Sequence, residues 1–273
     1  MISVIILFTS CDKIDGPYYN ITDGFIPDVK FPDLDISKVY RKMLIEEYTG
    51  HRCSNCPDGH VRLAELLSLY GDTLVGVCIH AGVLARTNDD YPYNFTTEAG
   101  TQLFQDFGLD PIPRAVVNRT KYQNKWDINI GAWHNALLDI DRSKIYAAIQ
   151  MINEYKSSEN TLLINTKTTM LAEYDNPLLL SIFLIEDDII SPQLNGSTRI
   201  PDYKHEHALR LGVNGTYGTP LVSGGILEKD SAYLAGFKVN FSGTDWKVEN
   251  TSIIAILHAP ETREVLQVEI IKN

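Results

Sequence analysis

Two cysteines separated by two residues lie in the stretch EEYTGHRCSNCP, residues 46–57. Residues 39–48 contain many branched and aromatic side chains, which predicts a buried strand before the pair. Apolar side chains then recur at helical spacing as far as Gly71, which predicts a helix beginning at the pair. At a helix N-terminus, free backbone N–H groups and the helix dipole stabilise a thiolate on Cys53, and Cys56 is close enough to form a disulfide. The stretch therefore predicts a thiol site at a strand-to-helix junction.

The chain after this helix continues to alternate between strands and helices. The pattern predicts a strand at 74–79, a helix at 97–107, a strand at 114–118 and a closing helix at 129–140. Ile112 and Pro113 directly precede the strand at 114–118. This order predicts an α/β unit in which the cysteine pair opens the first long helix.

The order of these elements resembles the thioredoxin fold over residues 39–142. In that family, a cis-proline after Ile or Val faces the cysteine pair across the substrate groove. The resemblance assigns these catalytic positions to Cys53, Cys56 and Pro113. It also implies a buried acid six residues before the first cysteine, which accepts the proton of the second cysteine and falls here on Glu47.

Three positions depart from the usual pattern of that family. Arg52 replaces the tryptophan before the first cysteine, Ser54-Asn55 replaces Gly-Pro between the cysteines, and Arg114 replaces the threonine after the proline. A cation at Arg52 is expected to favour the thiolate of Cys53. We therefore interpret Arg52, Ile112 and Arg114 as substrate-groove residues, with the two arginines able to attract acidic substrate segments.

Other interpretations of the cysteines are weaker. A zinc site would use His51 and His60 with the pair, but such sites normally draw ligand pairs from two separated loops, and the spacing supplies no second pair. Cys78 lies in an apolar strand pattern that is typical of a buried thiol. We therefore predict neither a metal nor a cofactor.

The second half of the chain, 143–273, has short strand candidates separated by Gly, Pro, Asn and Asp turns. They lie at 145–155, 161–168, 178–190, 207–213, 233–241, 253–258 and 265–271. Such a run predicts an immunoglobulin-like β-sandwich, although 145–155 also fits helical spacing. His205 and His207 have the spacing of two metal ligands on one strand face, but without a third ligand the sequence favours ordinary hydrogen-bonding histidines.

The N-terminus resembles a truncated bacterial signal peptide. Residues 2–8 are apolar, and the run ends in small polar residues before Cys11, as in a lipobox with a lipidated cysteine, although a basic leading region is missing. The run is too short for a membrane-spanning helix, which needs about 20 apolar residues. Residues 12–38 contain Pro, Asp and Gly without an apolar period, which predicts a tether after the signal remnant at 1–11.

Composition and charge exclude several classes of protein. The 273-residue chain is 44% hydrophobic, which is typical of a folded protein. Its 24 Lys and Arg against 35 Asp and Glu give a net charge of -11, which argues against nucleic acid as a partner. Four cysteines are too few for a disulfide-stapled scaffold.

Taken together, the lipobox, the cysteine motif and the β-rich second half resemble the thioredoxin-like outer-membrane lipoproteins of Bacteroidetes-type bacteria. The resemblance implies a location in the bacterial cell envelope, at the outer membrane, through a lipid anchor on Cys11. Our first hypothesis is a thiol-disulfide oxidoreductase whose partners are protein thiols or disulfides. The direction of transfer and the oligomeric state stay open.

Two alternatives belong to other functional classes. The first is a non-catalytic surface lipoprotein that uses the thioredoxin-like unit as a scaffold and the β-sandwich for binding or assembly. The second and weaker one is a thiol peroxidase, for which Arg52, Arg114 and Ser54 supply the residue types but not the known spacing.

Overall fold

The computed structural model describes residues 18–20, 28–222 and 224–273, which form a mixed α/β structure made mostly of strands. The helices and strands in chain order are β1 (Tyr18–Asn20), β2 (Met43–Thr49), α1 (Cys56–Tyr70), β3 (Leu74–His80), α2 (Glu98–Phe107), β4 (Arg114–Val117), α3 (Trp133–Leu138), β5 (Ala147–Lys156), β6 (Thr161–Met170), β7 (Leu179–Glu186), β8 (Ile189–Asn195), β9 (Thr198–His205), β10 (Ala208–Gly212), β11 (Thr219–Pro220), β12 (Ala232–Asn240), β13 (Thr251–His258) and β14 (Val265–Lys272).

The largest sheet runs through both halves of the chain. Its strand order is β14-β13-β7-β10-β3-β2-β4, and β11 pairs with β7 off this path. β2 is parallel to β3 and antiparallel to β4. β10 joins β3 in parallel at Ala208 and Cys78. The predicted boundary near residue 142 therefore does not separate two sheets.

A second sheet, with the order β1-β12-β6-β5, shares a core with the β7–β13 part of the large sheet. Its buried side chains include Ile164 of β6 and Phe237 of β12, which belong to the same cluster as Ile182 of β7 and Ala255 of β13. The second half is thus built from two packed layers of strands, one of which also carries β2, β3 and β4.

The strand pattern of the second half differs from the prediction at 178–190 and at the unpredicted strands β9 and β11. The predicted strand at 178–190 is two strands, because the chain turns after β7 at Asp187 and Asp188, and Asp188 has a φ of 59°. The segment 145–155, which also fits helical spacing, is a strand as predicted, β5. The hairpin strand β9 was not predicted, because its side chains are mostly polar and exposed and lack an apolar alternation.

The N-terminal predictions are only partly within the described residues. The signal remnant at 1–11, with Cys11, lies outside them. Within the predicted tether at 12–38, β1 pairs in parallel with β12, so this part of the segment joins a sheet. None of the helices in the described ranges is long and apolar enough to cross a membrane.

Helix α1 packs closely on the sheet through a glycine. Leu63 and Leu66 are buried against the strands. A Cβ atom built on Gly59 would overlap the Glu47 carboxylate and lie 3.3 Å from Cη2 of Trp133. Only glycine therefore allows the first turn of α1 to lie directly over Glu47.

A buried ion pair ties β2 to the turn after β4. Glu46 and Arg119 are both fully buried, and the Arg119 guanidinium donates from Nη2 to Glu46 Oε1 at 2.8 Å and from Nε to Oε2 at 3.1 Å. The same guanidinium lies 5.8 Å from the ring centroid of Phe183 on β7 and 5.9 Å from that of Tyr217. The ion pair therefore connects β2 to the turn after β4, and through Arg119 it also contacts the second half of the chain.

Candidate active site

The cysteine pair lies where the sequence places it, at the junction between β2 and α1. Cys53 follows β2, Cys56 is the first residue of α1, and the two form a disulfide. Cys53 is 3% exposed and Cys56 is fully buried. The loop approaches Leu84 so closely that a Cβ on Gly50 would be 2.7 Å from the Leu84 carbonyl oxygen, which explains the glycine before the motif.

Pro113 lies across from the pair. The Ile112–Pro113 peptide bond is cis, and so is the Asp110–Pro111 bond. The Ile112 carbonyl oxygen is 3.9 Å from Cys53 Sγ. The structure thus brings Ile112, Pro113 and Cys53 together.

Glu47 lies on β2, beneath the first turn of α1. Its side chain is fully buried, and burial raises its pKa from 4.5 to about 8, opposed by a hydrogen bond from Cys78 Sγ to Oε2 at 3.4 Å. The other carboxylate oxygen, Oε1, accepts no hydrogen bond from any described residue. Glu47 is therefore a protonated acid at neutral pH with one oxygen free to exchange a proton.

The neighbour of this free oxygen is His60, a residue that the sequence analysis weighed only as a zinc ligand. His60 Nε2 is 3.8 Å from Glu47 Oε1, and burial lowers the pKa of His60 to about 4. The contact therefore joins two neutral groups at neutral pH and is not an ion pair. His60 also lies four residues after Cys56, on the same face of α1, and this spacing is the sequence signal that would have identified it.

Both ring nitrogens of His60 have hydrogen-bond partners. Nε2 is 2.8 Å from the Thr49 hydroxyl, and Nδ1 is 2.7 Å from the Tyr203 hydroxyl. These bonds account for His60 without a zinc ion. No group of three or more His, Cys, Asp and Glu side chains able to hold a metal ion occurs among residues 28–222 and 224–273.

The two candidate groove arginines have partners inside the protein. Arg114 donates to the Pro113 carbonyl at 2.9 Å, and its Nε lies 3.7 Å from the Asp127 carboxylate. Arg52 is partly exposed, and its Nη1 lies 3.4 Å from the Arg86 carbonyl oxygen. Arg52 is therefore the more available of the two for a charged substrate.

The hairpin formed by β8 and β9 lies against the cysteine loop. The Leu194 N–H donates to the His51 carbonyl at 2.8 Å, and the Gly196 N–H donates to the Ser54 carbonyl at 2.9 Å. The buried amide of Gln193 donates to the Cys53 carbonyl at 3.1 Å. The second half of the chain thus supplies part of the wall around the disulfide, which the sequence did not predict because contacts over about 140 residues leave no local pattern.

His205 and His207 serve different local bonds. His205 is buried, with Nε2 3.3 Å from the Ser191 carbonyl oxygen. His207 has a φ of 55°, and its Nδ1 is 3.1 Å from Asp187. The two side chains are engaged in ordinary hydrogen bonds, the interpretation that the sequence favours.

Cys78 is a buried thiol on β3. It is 4% exposed, and burial, followed by the nearby Glu47 carboxyl, raises its pKa well above the ordinary value. We expect native Cys78 to react with iodoacetamide at least about tenfold more slowly than the same thiol in the urea-unfolded chain. Mass spectrometry of the Cys78 peptide after timed alkylation measures this ratio, and equal rates in the two states would contradict the assignment.

Comparison with solved structures shows a likeness in fold. HBP35 of Porphyromonas gingivalis is similar with a TM-score of 0.66 and 16% identity, over 85% of this chain and 75% of that chain. A protein from Agrobacterium tumefaciens is similar with a TM-score of 0.45 and 13% identity, over 86% of this chain and 96% of that chain. At these identities the likeness to HBP35 supports a shared fold and carries no further argument.

Comparison with protein families shows where the chain belongs. Among solved structures, a domain of the outer membrane lipoprotein Omp28 from Porphyromonas gingivalis is 22% identical, with a TM-score of 0.32 over 46% of this chain and 87% of that chain, and this likeness carries no argument. Comparison with curated proteins gives no match. The family model of outer membrane protein Omp28 matches residues 100–272, which is more than half of the chain. The predicted outer-membrane location is therefore confirmed, because the chain belongs to the Omp28 family of outer membrane proteins.

Proposed function

We propose that this outer membrane protein is a thiol-disulfide oxidoreductase that acts on protein thiols or disulfides. In this proposal residues 39–142 are a thioredoxin-like unit, residues 143–273 are an immunoglobulin-like β-sandwich, and a lipid on Cys11 anchors the chain. The position of β2 between parallel β3 and antiparallel β4 supports the thioredoxin-like assignment, as does the cis-proline directly before β4.

The observation that carries the proposal is the buried acid beneath the cysteine helix. Glu47 is fully buried under the first turn of α1, and a structural disulfide has no need of such a group. Burying an ionisable carboxyl costs free energy, and perturbed carboxyls of this kind cluster at functional sites. A role as proton acceptor for Cys56 explains why Glu47 is buried at this position.

The proposed reaction uses each member of the pair in turn. The Cys53 thiolate attacks a substrate disulfide, forms a mixed disulfide and releases the first substrate sulfur as a thiolate. Cys56 then gives its proton to the Glu47 carboxylate and attacks Cys53 Sγ, which releases the second substrate sulfur as a thiolate. The substrate disulfide is reduced by two electrons and the protein dithiol is oxidised to the disulfide; the reverse sequence oxidises a substrate.

The groove residues have positioning roles in this scheme. Ile112 and Pro113 present their backbone beside Cys53, where a substrate chain would be oriented. Arg52 and Arg114 add positive charge near the sulfurs, which favours a thiolate and an acidic substrate segment.

The second candidate function is a binding or assembly lipoprotein without redox turnover. The observation that favours it is the 3% exposure of Cys53, together with the β8–β9 hairpin bonded to the cysteine loop. This candidate predicts that replacing both Cys53 and Cys56 by serine leaves partner binding unchanged.

A glutathione redox titration of the full chain distinguishes the two candidates. Thiols are alkylated at each potential, and mass spectrometry reports the state of Cys53, Cys56 and Cys78. We expect a reversible Cys53–Cys56 disulfide with a potential between roughly -270 and -120 mV, the span of dedicated oxidoreductases. A pair that stays oxidised below about -300 mV, or that never forms, would contradict the enzyme and favour the binding protein.

The Cys53→Ser variant is the matched control for turnover. It retains Cys56 and Cys78 but lacks the attacking sulfur, so it is expected to lose reduction of a protein disulfide such as insulin. Full activity in this variant would exclude the proposed reaction.

A further inference from the structure

Polar side chains lie in series between Glu47 and the protein surface. Glu47 Oε1 is 3.8 Å from His60 Nε2, which is beyond hydrogen-bond distance, and His60 Nδ1 is hydrogen-bonded to the Tyr203 hydroxyl at 2.7 Å. Glu47 is fully buried, the His60 side chain is 16% exposed, and Tyr203 is half-buried. Each step therefore lies closer to solvent than the one before it.

The outer end of this series opens into a cavity. Its volume is about 230 Å³, and its lining includes His60, Cys78, His80, Tyr203 and His205. Both ring nitrogens of His80, and Nδ1 of His205, have no hydrogen-bond partner among the described residues. A cavity of this size is large enough to hold several water molecules, since each occupies about 30 Å³ of liquid water.

The groups flanking His60 suit proton transfer through its ring. A hydroxyl lies on each side, from Thr49 at Nε2 and from Tyr203 at Nδ1, and a hydroxyl can either donate or accept a hydrogen bond. The imidazole can therefore change tautomer without losing either bond. His60 can take a proton on one nitrogen and release a proton from the other while staying neutral.

We propose that His60 and Tyr203 form the proton path between Glu47 and the water-accessible cavity, so that Glu47 can release its proton before each resolution step by Cys56. The inference rests on the proposed oxidoreductase function and deepens it. His60 and Tyr203 act through Glu47 and are positioning residues, and Tyr203 comes from β9, in the second half of the chain.

The ionisation of the neighbours is consistent with this path. Burial raises the pKa of Glu47 to about 8, lowers that of His60 to about 4 and raises that of Tyr203 to about 12. At neutral pH, Glu47 therefore has to lose a proton before it can accept one from Cys56.

Several other titratable groups face this region and bear on its pH dependence. They are Cys78 and His80 on β3, His205 on β9, and Asp187, Lys204, Glu206 and His207 nearby. Of these, Cys78 bonds directly to Glu47, but burial raises the pKa of its thiol well above the ordinary value, so it stays protonated. The carboxyl oxygen of Glu47 that has no hydrogen bond within the described ranges, Oε1, is the one that lies 3.8 Å from His60 Nε2.

Single-turnover kinetics of the full chain test the path. The reduced protein is mixed with oxidised glutathione, acid-quenched at intervals, and analysed by mass spectrometry for the mixed disulfide on Cys53. In Tyr203→Phe we expect formation of the mixed disulfide at the wild-type rate and resolution by Cys56 slowed at least about fivefold at about pH 6.5. Above about pH 9, Glu47 is already ionised, so the difference is expected to shrink to less than about twofold.

Two further variants separate proton transfer from damage to the fold. Tyr203→Phe keeps the aromatic ring, whose centroid lies 5.7 Å from that of His60. His60→Gln keeps polar atoms at that position, but glutamine cannot pass a proton by changing tautomer. Both are expected to slow resolution with the same pH dependence. Tyr91→Phe, which removes a hydroxyl from the ring stacked on His51, is the matched control and is expected to resolve at the wild-type rate.

The outcomes distinguish a failure of the proposed proton path from a failure of the proposed oxidoreductase function. If the mixed disulfide forms and resolves equally fast in Tyr203→Phe, His60→Gln and wild type at every pH, the path is wrong and the oxidoreductase proposal stands. If the wild-type protein forms no mixed disulfide on Cys53, the oxidoreductase proposal fails and the path fails with it.

Discussion

Replacing Arg119 by methionine is expected to lower the free energy of unfolding by about 3 to 5 kcal/mol, because it leaves the Glu46 carboxylate buried without its cation. Burial disfavours charge on Arg119, but the adjacent Glu46 outweighs that effect and raises the pKa of the guanidinium. The substitution also removes the cation beside the rings of Phe183 and Tyr217. Urea unfolding of the oxidised protein, followed by tryptophan fluorescence, measures the loss.

Two variants test this explanation. Arg62→Met removes the partner of Glu65 from a partly exposed pair, and it is expected to change the free energy of unfolding by less than about 1 kcal/mol. Combining Arg119→Met with Glu46→Leu removes both buried charges and is expected to recover most of the loss. If the free energy of unfolding of Arg119→Met lies within about 1 kcal/mol of wild type, the explanation is wrong, because Glu46 is then tolerated in the core without its cation.

Replacing Glu47 by glutamine is expected to stabilise the fold by roughly 3 kcal/mol at about pH 7. The pKa of Glu47 is raised from 4.5 to about 8 by burial, so the folded state binds its proton more tightly than the unfolded state does. Glu47 therefore contributes stability that is complete below pH 4.5 and is lost as the pH rises towards about 8. Glutamine, which stays neutral, avoids this loss.

The pH dependence identifies the cause of this stabilisation. The advantage of Glu47→Gln over wild type is expected to be small at about pH 4.5, to grow by about 1.4 kcal/mol per pH unit, and to level off above about pH 8. The exposed Glu159→Gln is the control and is expected to show no such trend. A constant difference between Glu47→Gln and wild type at all pH values would indicate a packing effect instead of a raised pKa.

Local patterns predict much of the first half of the chain. The predicted strand at 74–79 and helix at 97–107 correspond to β3 and α2. The apolar side chains of α2 recur at helical spacing on its buried face, whereas β3 is a short, continuous, fully buried apolar run. The side chain of Thr97 accepts from the Gly100 N–H at 2.9 Å, and Gly108 follows α2 with a φ of 64°, so both ends of the helix are visible in the sequence.

The parts that could not be predicted depend on contacts between distant segments. β9 has no apolar alternation, and the bond from Tyr203 to His60 spans 143 residues. The sequence predicts a cysteine pair with an acid six residues before it, but it gives no sign that a hairpin from the second half surrounds them. Likewise, nothing local indicates that β10 continues the sheet beside β3.

The shared sheet determines how the cysteine chemistry can be studied. A fragment ending at residue 142 would leave β3 without β10, so the strand that carries Cys78 would become an open edge that can pair with other molecules. The fragment would also lack Gln193 and Tyr203, so the cysteine loop and His60 would lose partners that they have in the whole chain. A redox potential measured on such a fragment would describe a different environment, and the smallest piece of this protein that preserves its thiol site extends through both halves.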